Sequence, residues 1–182
     1  MDRFSRIVLG YHGCDPNFAD GLISGEIPIE NWLPSRNAYD WLGHGIYFWE
    51  HGLRRAIAWS RRLANPGVIG AVIQLGKCLD LTDTQFTNLL GMQYNQLSRE
   101  YQAGGKSLPR NLKGNQALDC LVINELVSTV EKTGTAFQTV RCPFLEGEPA
   151  FPSSGIRKES HMQLAVIDKS CILGVFRPNL TF

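Results

Sequence analysis

The residues with the clearest capacity for chemistry lie in three short segments, and the first of them is Tyr11-His12-Gly13-Cys14. It follows the apolar run at 7–9, so His12 lies at the end of a predicted strand. A neutral histidine offers one ring nitrogen as donor and the other as acceptor, and a glycine beside it leaves the backbone open to a ligand. This segment predicts a ligand contact at a sheet edge, although a structural histidine satisfied within a turn also fits it.

The second segment runs from Trp41 to Glu50 and places glycines on both sides of His44, just before an aromatic strand. Gly45 would allow a ligand to approach the backbone closely. Tyr47 would offer a flat ring to a planar ligand, and stacking of a nucleobase on such a ring contributes about 1–3 kcal/mol. The alternative interpretation is an aromatic core cluster.

The third segment covers residues 156–167 and carries polar side chains at alternate positions. In an extended strand Glu159, His161 and Gln163 share one face, while the apolar residues between them share the other. The segment therefore predicts a polar strand face beside a ligand, with an ordinary half-exposed strand as the alternative.

The surrounding pattern predicts the elements that would position these segments. Apolar runs predict strands at 6–12, 45–49, 68–75, 137–141, 161–167 and 172–176, and helical spacing predicts helices at 15–25, 53–64, 82–101 and 116–130. Irregular segments are expected at 26–44, 103–114 and 144–160. Strands and helices are interspersed without a regular β–α–β rhythm, which favours an α+β fold.

Composition places limits on the class of protein. The chain has 182 residues, which predicts a single domain over 1–182, and its 43% hydrophobic and 19% charged residues suffice for an ordinary core. The net charge of +1 excludes a strong overall field for nucleic acid or membrane.

Location and metal content are predicted from apolar runs and cysteines. The run Ile7-Val8-Leu9 is shorter than a signal peptide requires, and no run is long enough to span a bilayer. The five cysteines are far apart and form no CxxC pair, so we expect no zinc or other metal. A cytoplasmic, reducing location is expected.

The first two segments together resemble the ADP-ribosyltransferases of the diphtheria-toxin and poly(ADP-ribose) polymerase class. Tyr-His-Gly on the first strand, then Gly-His-Gly-Ile-Tyr-Phe followed by a helix, matches that class from Tyr11 to about Trp59. The third segment lies where the class carries a glutamate or its substitute. The resemblance implies an α+β fold with a split mixed or antiparallel sheet and flanking helices. Residues at about 80–132 match nothing in it and are expected to form a helical insertion.

The resemblance also implies roles for individual residues around NAD⁺ as a substrate. His12 would bind the adenosine ribose, Gly13 would hold the nicotinamide carboxamide, and Tyr47 would stack on the nicotinamide ring. Trp59 would be a second stacking aromatic, unless it is only the buried face of its helix. Gln163 is our choice for the third catalytic position after His12 and Tyr47. The residues expected to bind NAD⁺ are His12, Gly13, Gly45, Tyr47 and Trp59.

Gln163 departs from the glutamate of the class, and this has a chemical consequence. An amide can position ribose hydroxyls but cannot act as a general base, a contribution of about 10²–10⁴ in rate. We therefore expect transfer of single ADP-ribose units, with the acceptor activated by a neighbouring acid. The acids considered are Glu50, Glu146 and Glu159. Glu159 and His161 are the alternatives for the third position, and if Glu159 holds it this restriction falls away.

A predicted helix and a predicted loop carry the residues that could contact the acceptor. Arg54, Arg55, Arg61 and Arg62 would form one stripe on the predicted helix 53–64, suited to a pyrophosphate or a phosphate backbone, or simply a solvated face. The loop at 144–160 lies where the class carries an acceptor-recognising loop. The candidates within it are Phe144, Glu146 and Phe151.

These residues predict an NAD⁺-dependent mono-ADP-ribosyltransferase acting on a protein or nucleic acid. Small transferases of this kind resemble toxins of bacterial toxin–antitoxin and phage-defence systems, which implies an antitoxin protein as partner and no membrane. An NAD⁺ glycohydrolase and an inactive module that binds NAD⁺, ADP-ribose or a partner are the alternatives. A tRNA 2′-phosphotransferase is disfavoured because that class uses basic residues where this chain has Tyr47 and Gln163.

Overall fold

A computed structural model describes residues 6–179, and a seven-stranded sheet forms its centre. The chain forms the strands β1 (Ile7–Cys14), β2 (Ile46–Glu50), β3 (Gly67–Gln74), β4 (Cys78–Asp80), β5 (Asn111–Leu112), β6 (Asn115–Gln116), β7 (Thr139–Phe144), β8 (His161–Val166) and β9 (Ile172–Phe176). The order across the main sheet is β4-β7-β8-β2-β1-β3-β9, while β5 and β6 form a separate hairpin. β4 and β7 are parallel, and the other neighbours are antiparallel.

Helices cover both faces of this sheet, which confirms the α+β class. They are α1 (Pro16–Ser24), α2 (Leu53–Ser60), α3 (Thr84–Ala103) and α4 (Ala117–Glu131). The ends of α1 follow local signals in the sequence. The side chain of Asp15 accepts a hydrogen bond from the backbone nitrogen of Asn17, and Gly25 ends the helix with φ of 81°. Among residues 6–179 no helix has the length and apolar character needed to cross a membrane.

The alternation of β2 and β8 divides the apolar residues between two cores. Phe48 and Leu164 are opposite one another and pack in the core on the α1 side. Tyr47 and Ala165, also opposite one another, pack on the face that α3 and α4 cover. The predicted alternation of β8 is therefore confirmed for its apolar face, because Leu164 and Val166 are fully buried.

The sheet is split between β1 and β2. These strands pair only at Gly10↔Glu50 and Tyr11↔Trp49, whereas β1 and β3 stay paired along the whole of β1. Beyond Tyr11 the two strands separate. The sheet is thus continuous at one end of β1 and open at the other, where His12 lies.

The predicted helix at 53–64 is too long at its C-terminal end. α2 ends at Ser60 with Arg61 as its C-cap. Hydrogen bonds of the tighter three-residue spacing follow, from the nitrogen of Arg62 to the carbonyl of Trp59 and from Leu63 to Ser60. Arg61 and Arg62 therefore lie in a turn beyond α2, rather than on the same helix as Arg54 and Arg55.

Two short elements went unpredicted. β4 has three residues, too few to show a periodic pattern. The hairpin of β5 and β6 lies within and just after the segment predicted as the irregular loop 103–114, and each of its strands has two residues. α3 and α4 lie within about two residues of their predicted bounds, in the region expected to be helical.

A candidate ligand-binding cleft at the split of the sheet

A cleft of about 720 Å³ opens where β1 and β2 separate. Its walls come from these strands, from β8, from α2 and from the loop at 32–41. The structure brings residues of all three predicted segments to this one cavity. The predicted site residues that line it are His12, Gly45, Tyr47, Trp59, Glu146, His161 and Gln163.

The His12 side chain spans the gap between the separating strands. Its Nδ1 lies 2.7 Å from the carbonyl oxygen of Tyr47. A carbonyl can only accept, so Nδ1 carries the hydrogen and Nε2 is left as an acceptor. Burial lowers the pKa of His12 below its ordinary value of 6.5, an effect that the hydrogen bond to Tyr47 only partly opposes. The Trp32 ring, 5.1 Å away and nearly perpendicular, fixes the imidazole from one side.

Gly13 presents its backbone to the same gap. The carbonyl of Leu9 accepts from the backbone nitrogen of His51, so alternate residues of β1 direct their backbone groups towards β2. Gly13 follows in this alternation, but no ladder pair lies beyond Tyr11↔Trp49. A Cβ atom on Gly13 would lie 2.8 Å from a ring carbon of Trp59. The glycine therefore allows close packing of that ring, and its backbone amide has no ladder partner on β2. Gly13 itself is not among the residues that line the cleft.

The Tyr47 hydroxyl is fully used within the protein. It donates to the carbonyl of Gly43 at 2.5 Å and accepts from the backbone nitrogen of Leu42 at 2.8 Å. Burial raises the pKa of Tyr47 well above its ordinary value of 10. The hydroxyl is consequently unsuited to proton transfer, and the ring is the part of Tyr47 that remains for a ligand.

Buried polar atoms without a partner concentrate at this cleft. Among the residues that the structure describes, they are Trp49 Nε1, Arg55 Nε, His161 Nε2 and Gln163 Oε1, and all of these residues line the cavity. Leaving such an atom unpaired costs about 1–3 kcal/mol, and folded proteins pair nearly all of them. A ligand that offers both donors and acceptors would satisfy them.

Arg55 joins α2 to the loop at 145–160. Its guanidinium contacts the carboxylate of Glu146 at 2.6 Å and that of Glu159 at 2.9 Å. Glu159 is therefore engaged in an ion pair outside the cleft lining, whereas Gln163 directs a polar atom into the cleft. Of the four arginines that the sequence analysis grouped, Arg55 and Arg62 line the cleft, and Arg54 is not among the lining residues.

His161 is held in one orientation beside this ion pair. Its Nδ1 lies 2.9 Å from the carbonyl oxygen of Glu159, and its ring stacks on Phe144 at 5.8 Å between centroids. The side chain is 3% exposed, and the Glu146 carboxylate lies 3.7 Å from Nδ1. Burial, assisted by the positive charge of Arg55, lowers the pKa of His161.

Two residues proposed for the acceptor side do not reach the cleft. Both carboxylate oxygens of Glu50 accept from the guanidinium of Arg141, at 2.5 Å and 3.0 Å. Alternation along β2 places Glu50 on the face opposite Tyr47, and it is not among the residues that line the cleft. Phe151 is 62% exposed and lies outside the cleft lining.

The structure also adds residues that the sequence analysis did not assign. Trp49 lines the cleft two residues after Tyr47, and strand alternation alone could have placed it there. Asp40 is 8% exposed and accepts from the Ser35 hydroxyl at 2.9 Å and from the backbone nitrogen of Asn37 at 3.0 Å. This cluster lies in an irregular loop, where no periodic signal identifies it.

No cluster of at least three histidine, cysteine, aspartate or glutamate side chains within residues 6–179 could hold a metal ion.

Comparison with known proteins gives little further guidance. No family model matches the chain, and no solved structure matches it. The chain is 30% identical over 142 residues to an uncharacterized protein of Methanocaldococcus jannaschii, an alignment that covers 72% of the chain. The chain spans only 61% of that relative's length.

Proposed function

We propose that the chain is a mono-ADP-ribosyltransferase that cleaves NAD⁺ between nicotinamide and ribose and transfers ADP-ribose to a macromolecule. One observation carries the proposal: His12, Tyr47 and Gln163, which come from three separate strands, line the same cleft. The separation of β1 and β2 at that cleft also fits the split sheet implied by the resemblance to this enzyme class.

Aromatic rings and a backbone amide support the binding of nicotinamide at one end of the cleft. The rings of Tyr47 and Trp59 line the cleft and suit the planar pyridine, and the Gly13 amide, which has no ladder partner on β2, would suit the carboxamide oxygen. Each stacking contact of this kind contributes about 1–3 kcal/mol. The neutral His12 is suited to a ribose hydroxyl, because its unprotonated Nε2 accepts a hydrogen bond from an O–H group.

Cleavage of the C–N bond develops positive charge on the ribose, as in glycoside cleavage. Gln163 Oε1 is buried in the cleft without a partner, so it is available to a ribose hydroxyl and to the developing charge. An amide oxygen carries only a partial charge. This weaker stabilisation agrees with transfer of a single unit rather than growth of a polymer.

A second candidate is an inactive module that binds NAD⁺ or ADP-ribose. The observation that favours it is the state of the nearby acids: Glu146 and Glu159 are both paired with Arg55, and the third position holds an uncharged glutamine. The cleft could then bind the dinucleotide without breaking it.

We further propose a toxin as the biological setting, held by an antitoxin protein in the cytoplasm and acting on protein or nucleic acid. This setting rests on the likeness of small transferases of this class to such toxins. Its test is expression of the chain in a bacterium with and without Tyr47→Ala, since growth arrest that needs the intact ring would support a toxin. Equal growth of both strains would contradict it.

The decisive experiment on the activity follows nicotinamide release from NAD⁺ by the full chain, with ADP-ribose labelled in parallel. Label on a macromolecule in a cell lysate supports the transferase, whereas free ADP-ribose alone supports a glycohydrolase. Binding of NAD⁺ without any nicotinamide release supports the inactive module. The variant Tyr47→Ala should lose activity, and His51→Asn should keep it, because His51 is an exposed residue whose φ of 52° an asparagine tolerates.

A further inference from the structure

His161 has one ring nitrogen fixed and the other left to act. The Nδ1 atom faces the carbonyl oxygen of Glu159 at 2.9 Å, which requires the hydrogen on Nδ1 and the lone pair on Nε2. Nε2 is buried and has no partner. The ring also stacks on Phe144, with 5.8 Å between centroids.

The position of His161 relative to Gln163 shows which side of the cleft His161 occupies. The two residues lie on the same face of β8, and both line the cavity. Gln163 is opposite Trp49, and Ala165 is opposite Tyr47. His161 therefore lies two residues further along β8 from Tyr47 than Gln163 does. If Tyr47 stacks on nicotinamide and Gln163 holds the ribose, His161 lies on the side away from the leaving group.

Burial favours a neutral His161 ring that can accept a proton, and the charged groups around the ring act in both directions. Arg55 from α2 faces it, as do Glu146 of the loop and Glu159 just before β8, while Phe144 from β7 is uncharged. Burial and Arg55 lower the pKa of the ring, and the two carboxylates oppose this only in part. Once protonated, the ring would have the Glu146 carboxylate 3.7 Å from Nδ1.

We propose that His161 Nε2 is the general base that takes the proton from the acceptor of ADP-ribose, and that this acceptor is a hydroxyl group. The inference rests on the proposed transferase function. A hydroxyl fits because two other unpaired atoms of the cleft, Trp49 Nε1 and Arg55 Nε, are N–H donors that an oxygen lone pair would satisfy.

The step balances without any further reagent. The acceptor oxygen forms a bond to the anomeric carbon of the ribose as the bond from that carbon to the pyridine nitrogen breaks. The electron pair of the broken bond leaves with nicotinamide, which becomes neutral. The hydroxyl proton passes to His161 Nε2, and the imidazolium then releases it to solvent.

Two small nucleophiles test this role without knowledge of the natural acceptor. Methanol must lose a proton when it attacks, whereas azide is already an anion and needs no base. The full chain is incubated with NAD⁺ and either probe, and methyl ADP-ribose and ADP-ribosyl azide are measured by mass spectrometry. In His161→Gln we expect the methanol product to fall about 10²-fold, while the azide product is largely retained.

Matched variants separate this role from a structural one. Gln163→Ala should lower both products, because it acts on bond cleavage, and His51→Asn should lower neither. The rate of the methanol reaction in the wild type should decline at acidic pH as Nε2 becomes protonated. The rate of the azide reaction in His161→Gln should not show that decline. Retained azide product also shows that the variant is folded.

Other results would overturn the assignment. If both products fall equally in His161→Gln and in His161→Asn, or neither falls, His161 is not the base. If the wild type fails to release nicotinamide whether methanol, azide or water is the acceptor, the transferase function itself is contradicted, and so is the role of His161.

Discussion

The Nδ1 atom of His12 donates to the carbonyl oxygen of Tyr47 across 2.7 Å, at the point where the ladder between β1 and β2 ends. In a continued antiparallel ladder that carbonyl would accept from the backbone nitrogen of Gly13. A side chain has thus replaced a backbone donor. The replacement satisfies the Tyr47 carbonyl where the strands separate, and it leaves the backbone amide of Gly13 without a ladder partner on β2.

Removal of this side chain should affect both stability and binding. In His12→Ala the Tyr47 carbonyl loses its donor, and we expect the free energy of unfolding to fall by about 1–3 kcal/mol. Urea denaturation measures this loss, and titration calorimetry should show weaker NAD⁺ binding because the Nε2 acceptor is gone. Unchanged NAD⁺ affinity in a folded His12→Ala variant would remove His12 from the proposed site.

Acid should destabilise the chain through its two buried imidazoles. In the unfolded state His12 and His161 titrate near 6.5, whereas folding lowers the pKa of each. Below pH 6.5 the unfolded chain binds protons that the folded chain does not. The free energy of unfolding should therefore fall as pH drops through 6.5 towards the lowered values, and their contribution should be constant above it.

Urea denaturation at a series of pH values, compared between wild type and His12→Gln, checks this. The variant should show a shallower loss of stability on the acid side, since one of the two shifted groups is absent. If the pH dependence of the variant ran parallel to that of the wild type, the protonation of His12 would not be linked to unfolding.

The Tyr47 ring and hydroxyl should have separable roles. Tyr47→Phe keeps the ring but leaves the backbone nitrogen of Leu42 and the carbonyl of Gly43 without their partner, so it should lower the free energy of unfolding by about 1–3 kcal/mol. NAD⁺ cleavage by the folded variant should be largely preserved, whereas Tyr47→Ala should lose it. Equal loss of cleavage in both variants would assign the hydroxyl, rather than the ring, to the reaction.

The sequence predicted the frame of the fold because its signals are local. Asp15 and Gly25 bound α1 as capping residues do, and alternation in β8 placed Leu164 in the core. The contacts that shape the cleft depend on distant parts of the chain. The ion pair of Arg55 with Glu146 joins positions 91 residues apart, and no pattern within either segment encodes it.

The misplaced residues have the same cause. Glu50 was expected at the acceptor because it follows Tyr47 closely in sequence, yet its partner Arg141 comes from β7, across β8, on the other face of the sheet. α2 ends at Ser60, where turn hydrogen bonds replace those of a helix, so Arg62 lines the cleft from this turn and not from a helical stripe. Strand alternation and the turn after α2 are therefore what local sequence spacing did not predict.

Gly13 should tolerate no side chain. In Gly13→Ala the new Cβ would lie 2.8 Å from a ring carbon of Trp59 and 3.1 Å from the carbonyl of Ala56, so α2 must move away from β1. We expect a loss of about 1–3 kcal/mol in the free energy of unfolding, together with weaker NAD⁺ binding. Gly174→Ala is the matched control, because nothing lies within 4 Å of its added Cβ. Similar stability of the two variants would contradict the close packing at Gly13.

Replacing Gln163 should report on charge in the reaction itself. Gln163→Glu has nearly the same shape, but it places a carboxylate where an amide oxygen now lies unpaired in a cleft that Arg55 and Arg62 also line. A full negative charge stabilises a developing positive ribose better than a partial one. We therefore expect faster nicotinamide release from Gln163→Glu, with each 1.4 kcal/mol of added stabilisation giving about a tenfold gain. Gln163→Ala, which removes the oxygen altogether, should release nicotinamide more slowly than the wild type. Comparable losses in Gln163→Glu and Gln163→Ala would mean that position 163 does not act on the developing charge, and the binding module would then be the better account of the cleft.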